Sequence, residues 1–193
     1  LFPYNKQDTK LLPEEIDLAV VITKNTIVPT TSFSISLTPV ANHSAHLLPL
    51  DSWNPNEYLL LENRQATGSD LFINGTGLLV WHIDETITDM YPAINRVNNN
   101  PEYFGVNLIQ ADGLNQLATS SGDADSGDPF PGSMGITYLS DDSTPGLMRY
   151  SYDRTGNNEV EDGGSSGVLI TNIAEGNDLN IIYNVSNPNT FPN

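Results

Sequence analysis

The chain has 193 residues, enough for one domain with a small extension, and 38% of them are apolar, enough for a real core. Its 24 acidic residues against 7 Lys and Arg give a formal charge of -17, which argues against nucleic acid, whose phosphates demand a basic surface, and disfavours anionic lipid. No apolar run is long enough to cross a bilayer, and the absence of cysteine excludes disulfides, thiolate metal sites and a cysteine nucleophile.

In chain order, the first ten residues resemble a tail, and no basic, apolar export signal opens them. Any such signal is expected to have been removed or to lie upstream. Pro13-Glu14-Glu15 suits the first turn of a short helix. Phe33, Ile35 and Leu37 alternate with Ser34, Ser36 and Thr38, the period of a half-buried strand. Further strands are predicted at Tyr58–Leu61, Leu78–Ile83, Val106–Ile109, Leu147–Tyr152, Val168–Ile173 and, by alternation of Leu179, Ile181, Tyr183 and Val185, near the end. Leu78-Leu79-Val80-Trp81 is apolar without a break, which predicts a strand covered on both faces. Residues 114–119 could form a second short helix. Gly and Pro punctuate the remainder. The expected fold is mainly β: an antiparallel β-sandwich-like domain with long loops and one or two short helices. Residues 1–50 would be an N-terminal extension or the first strands, 51–186 the β-rich domain, and 187–193 a C-terminal tail.

Three segments carry the main chemistry-bearing side chains, and two weaker groups follow them. At Glu62-Asn63-Arg64, alternation sends Glu62 and Arg64 to one face and Asn63 to the other, which reads as a structural network around a guanidinium fork. His82 and Asp84 share a face of their strand. They could orient an imidazole for proton transfer or metal binding, but with no nucleophile motif beside them a buried, hydrogen-bonded histidine is the favoured reading. The stretch 112–145 is poor in apolar residues and needs an anchor. Within it, Asp123, Asp125 and Asp128 sit in a tight Gly/Ser/Pro-rich loop that can converge oxygen ligands on Ca²⁺, without EF-hand spacing. A solvated turn held by Asx hydrogen bonds is the equal alternative. Asp141, Asp142, Asp153, Glu159, Glu161 and Asp162 form a weaker second acidic group, and His43-x-x-His46 reads better as a turn than as a metal pair. Asn42, Asn74 and Asn184 begin N-x-S/T triplets, glycosylation acceptors if the chain is exported. With histidine only at 43, 46 and 82, no His-Glu-x-x-His zinc helix exists, so the chain alone is expected not to cleave peptides.

Taken together, Glu57-Tyr58 through Gln65, then Gly68, Asp70 and Gly77-Leu78-Leu79-Val80-Trp81-His82-Ile83-Asp84-Glu85 resemble a motif block of the M6 (immune inhibitor A-like) metallopeptidases. The order continues through Asn95, Val106–Gly113, Gly122–Gly132 and Gly167–Ile173, so the resemblance spans residues 57–185. It implies the β-rich region C-terminal to the catalytic zinc helices of a secreted or cell-surface peptidase, with structural Ca²⁺. Zn²⁺ would belong only to a catalytic region absent from this chain. The implied partners are that catalytic domain or other copies of the chain, with no nucleic acid and no membrane insertion. Residues 1–50 match the family only loosely. An alternative expectation is an extracellular surface, matrix or filament subunit built on the same module without peptidase activity.

Overall fold

The computed structural model describes residues 23–26, 33–39, 44–50, 56–90, 97–100, 103–119, 122–147, 149 and 163–186. It is mainly β. The strands are β1 (Thr23–Thr26), β2 (Phe33–Leu37), β3 (Ser44–Pro49), β4 (Glu57–Arg64), β5 (Gly77–Asp84), β6 (Val106–Ile109), β7 (Leu139–Ser140), β8 (Leu169–Glu175) and β9 (Ile181–Ser186). They form one sheet in the order β1-β3-β4-β5-β6 and a second in the order β2-β9-β8-β7. All neighbours are antiparallel except β1 and β3. The predicted helix at Pro13–Glu15, most of the Leu147–Tyr152 strand and the 187–193 tail lie outside the described residues. Around 114–119 there is a single 3-10 turn, Gln116–Ala118. A short helix that the sequence reading missed, α1 (Glu85–Met90), follows β5 directly. Among the described residues no helix is long and apolar enough to cross a membrane.

Both sheets contribute to one core. Leu48, Leu59, Leu61, Leu78 and Val80 of the first sheet cluster with Leu37, Ile170, Ile173, Ile181, Tyr183 and Val185 of the second. Each such side chain contributes roughly 1.5–3 kcal/mol on burial, before the opposing chain entropy. The alternation legible in the sequence is thus the inner face of each sheet. On β5, however, only Leu78, Val80, His82 and Asp84 of one face are fully buried, while Leu79, Trp81 and Ile83 are half-buried. The unbroken apolar run therefore marks one packed face and one partly open one.

Two polar ties cross between the sheets. Asn63, fully buried on β4, donates from Nδ2 to the carbonyls of Leu37 (2.9 Å) and Leu179 (2.8 Å) and accepts from Gln65 Nε2 (2.8 Å). His46 on β3 meets the Tyr183 hydroxyl on β9 through Nδ1 at 2.5 Å, and burial lowers its pKa from the ordinary histidine value. At the far end of the second sheet, Asp141 clamps the 163–168 segment. Its carboxylate accepts from Ser165 Oγ, from Ser166 N (3.0 Å) and Oγ (2.6 Å), and from Gly167 N (2.9 Å). Burial pushes the Asp141 pKa up, but the Ser165, Ser166 and Gly167 hydrogen bonds together outweigh it and hold it below the ordinary value. A depressed carboxylate stabilises the fold above its unfolded-state pKa and loses that contribution as pH falls through the folded value. Asp141→Ala is therefore expected to destabilise by roughly 2 kcal/mol at neutral pH, after allowance for solvent screening, in urea unfolding. The difference from the parent should shrink in acid. A constant difference down to strongly acidic pH would show that the carboxylate charge is not what holds the clamp.

Candidate cation-binding site

The site forms where β6 ends. Beyond Ile109 the chain turns through Gln110–Gly113, and the 125–130 loop takes over its place beside the sheet. Ala111 N donates to Asp128 O (2.9 Å) and Asp112 N to Gly127 O (3.1 Å). Two residues on, Phe130 and Leu78 exchange both backbone bonds at 2.8 Å, and both side chains are fully buried. Gly77 allows this approach: a Cβ there would lie 2.3 Å from Phe130 O, and its φ of +141° is itself closed to other residues. Asn74, at the tip of the β4–β5 hairpin, ties the other flank by donating from Nδ2 to Ala124 O at 2.8 Å. The loop thus gains the anchor that its composition lacks.

Three carboxylates meet on this frame. One oxygen from each of Asp112, Asp125 and Asp128 lies within 4.8 Å of the others. Two of them, Asp112 and Asp125, lie over Gly127, where a Cβ would come to 2.7 Å from Asp112 Oδ2 and 3.0 Å from Asp125 Oδ1. The loop's own amides orient the group. Gly127 N donates to Asp125 Oδ1 (2.6 Å), Asp125 N to Asp128 Oδ2 (2.7 Å), and Leu114 N to Asp112 Oδ1 (2.9 Å). Gln116 Nε2 adds a bond to Asp125 Oδ2 at 3.0 Å. Of the sequence-predicted trio, Asp125 and Asp128 are brought together, whereas Asp123 is exposed and is not among the three. Asp112 takes the third place. It lies 13 positions before Asp125 in the numbering, and only the pairing of residues 111–112 with 127–128 joins them.

The electrostatics are unbalanced. Asp128 is 3% exposed, and its Oδ1 is buried without a hydrogen-bond partner, as is Gln116 Oε1. Burial pushes the Asp128 carboxyl pKa up. The Asp125 backbone N–H opposes that shift, and the charges of Asp125 and Asp112 add to it. Among the described residues no Lys or Arg forms an ion pair with the three. An all-oxygen donor set holding a buried, unsatisfied carboxylate oxygen fits a hard cation such as Ca²⁺, which takes six to eight oxygen ligands. It does not fit Zn²⁺, which is bound with nitrogen or sulfur ligands in its usual sites.

The other candidate side chains serve the fold. Arg64 forks between Glu62 Oε1 (3.2 Å) and Asp70 Oδ2 (3.1 Å), and Trp81 Nε1 donates to the same Glu62 oxygen at 3.2 Å. His82 meets Glu57 Oε1 at 3.0 Å across β4 and β5, a carboxylate the sequence spacing did not suggest. Asp84, expected beside the imidazole, instead caps α1 by accepting from Thr86 N (2.9 Å) and Ile87 N (3.4 Å). Asp141 serves the clamp described above. Asp153, Glu159, Glu161, Asp162, His43 and Asn42 lie outside the described residues. Comparison with family models, with curated proteins and with solved structures gives no match to this chain, so the functional reading rests on its own residues and their geometry.

Proposed function

We propose that this chain is the non-catalytic, β-rich portion of a secreted M6-type metallopeptidase, stabilised by Ca²⁺ held between Asp112, Asp125 and Asp128. The observation that carries the cation assignment is the buried Asp128 Oδ1 with no partner, beside two further carboxylates for which Gly127 leaves room. The peptidase assignment is supported by the ordered motifs from Glu57 to Ile173. The motif residues of β4 and β5 do structural work: Asn63 bridges the sheets, Glu62, Arg64 and Trp81 form a network, and Asp84 caps a helix. None of them is arranged as a nucleophile with its base, so the chain by itself serves as a scaffold.

In this reading Ca²⁺ neutralises the three acids and fixes the 112–132 loop against the end of the first sheet. The encoding reading frame tests the peptidase assignment. A His-Glu-x-x-His helix upstream of Leu1 is expected, and casein hydrolysis should require that region. A secretion signal directly before Leu1 would replace the assignment with a stand-alone extracellular module and leave the cation site untouched.

A further inference from the structure

We propose that the peptide bond between Asp128 and Pro129 is self-cleaving, opened by the Asp128 carboxylate and kept closed while a cation occupies that carboxylate. The protection rests on the cation site proposed above; the cleavage does not. Asp128 and Pro129 form the only Asp-Pro pair in the chain. A proline nitrogen carries no hydrogen, and as a tertiary amide nitrogen it takes up a proton and departs more readily than a secondary one.

The loop arms this bond in three ways. The Asp128 carboxylate is tethered by one oxygen: Oδ2 accepts from Asp125 N at 2.7 Å, whereas Oδ1 is buried without a partner. A buried polar atom left unsatisfied calls for an ion or a chemical role. An aspartate oxygen is also within ring-closing reach of its own carbonyl carbon, so the attack is intramolecular and needs no encounter. That carbonyl is polarised, because Ala111 N donates to Asp128 O at 2.9 Å and stabilises the negative charge that builds there as the carbon becomes tetrahedral. The leaving side is held as well. A Cβ at Gly75 would lie 2.9 Å from Pro129 Cγ and one at Gly77 3.2 Å from Pro129 Cβ, so the β4–β5 connection packs directly on the proline ring.

The step balances without an oxidant or reductant. A lone pair on Oδ1 forms a bond to the Asp128 carbonyl carbon. The C–N bond to Pro129 breaks, and its electron pair takes a proton from water. Residues 1–128 then end in a cyclic aspartic anhydride, and residues 129–193 begin with a free proline nitrogen. Water opens the anhydride to two carboxyl groups. A cation bound at Oδ1 engages the attacking lone pair, so its removal releases the reaction.

The bond lies where the chain leaves the first sheet for the second: β1 to β6 precede it and β7 to β9 follow it. The two parts stay joined after the cut, since β2 pairs with β9, Asn63 holds the Leu179 carbonyl and both sheets share one core. The product is a nicked, two-chain module.

Mass measurement of the whole chain in EDTA and in millimolar Ca²⁺, with and without neutral hydroxylamine, tests the proposal. In EDTA the denatured protein is expected to show fragments 1–128 and 129–193, which elute together under native conditions. Hydroxylamine should leave a hydroxamate on residue 128, the mark of an anhydride and not of a contaminating peptidase. Ca²⁺ should slow the cut at least tenfold in the samples whose melting temperature it raises. Asp128→Ala should abolish the cut and Pro129→Ala slow it at least tenfold; if either variant unfolds, the hydroxamate on the parent still decides the matter. No cut in EDTA, or a cut without hydroxamate, overturns the proposal. An equal rate in Ca²⁺ despite a raised melting temperature overturns the protection. An equal rate with an unmoved melting temperature removes the cation site and leaves the self-cleavage standing.

Discussion

Millimolar Ca²⁺ is expected to raise the melting temperature by roughly 5–10 °C, and EDTA to reverse the gain. A ligand at about 100 times its dissociation constant stabilises by about 2.7 kcal/mol, and each kcal/mol moves the midpoint about 2–4 °C in a domain of this size. Asp112→Asn, Asp125→Asn and Asp128→Asn should each abolish most of the shift, whereas Asp123→Asn should keep it, because Asp123 is not one of the converging carboxylates. Asp128 gives the sharper result, a reversal of sign. Its folded-state pKa is raised by burial and then by the neighbouring acids, so its ionisation costs stability. For a raised pKa that cost is absent below the ordinary carboxylate value of 3.8 and complete once pH has risen through the folded value. In EDTA at neutral pH, Asp128→Asn should therefore match or exceed the parent in stability, and in Ca²⁺ it should fall below it. The Ca²⁺ response should also fade in acid, since the ligands must be deprotonated. An Asp128→Asn protein that keeps the full Ca²⁺ shift would remove the site.

Replacing Asn63 with leucine is expected to destabilise by about 3–5 kcal/mol, the largest effect of any single side chain discussed. The carboxamide satisfies the carbonyls of Leu37 and Leu179 and the amide of Gln65, and all three lose a partner together. Leaving a buried polar group unsatisfied costs about 1–3 kcal/mol each, and leucine supplies shape without hydrogen bonds. Urea unfolding with an unchanged m value would measure it. Arg64→Ala provides the contrast. Its two ion pairs stand partly in solvent, where such pairs contribute about 0–1 kcal/mol. Comparable losses in the two variants would mean that Asn63 does not tie the sheets.

The strand pattern was legible because side-chain alternation is a local property. Val106–Ile109 lies where the apolar residues place it, and β2, β4, β5, β8 and β9 begin and end within four residues of the alternating runs. β1, β3 and β7 were not legible. Thr23–Thr26 has no apolar residue, Leu139–Ser140 is too short to show a period, and Ser44–Pro49 reads as a turn beside His43 and Asn42. Their place comes from pairing with strands distant in sequence, which no local window contains.

The same division runs through the site. Sequence alone marked an acidic, glycine-rich loop in need of an anchor, and the lack of cysteine excluded thiol chemistry, because charge and composition are sums over residues. Which acids converge is a matter of pairing. Asp112 enters and Asp123 stays outside because residues 111–112 bond to 127–128, and because Gly127 leaves space for two carboxylates above it. His82 likewise meets Glu57 rather than Asp84 because β4 lies antiparallel beside β5. Residue types and their period are carried by the chain itself. The partners across a sheet, and so the electrostatics of every buried group, were decided only when the strands closed on one another.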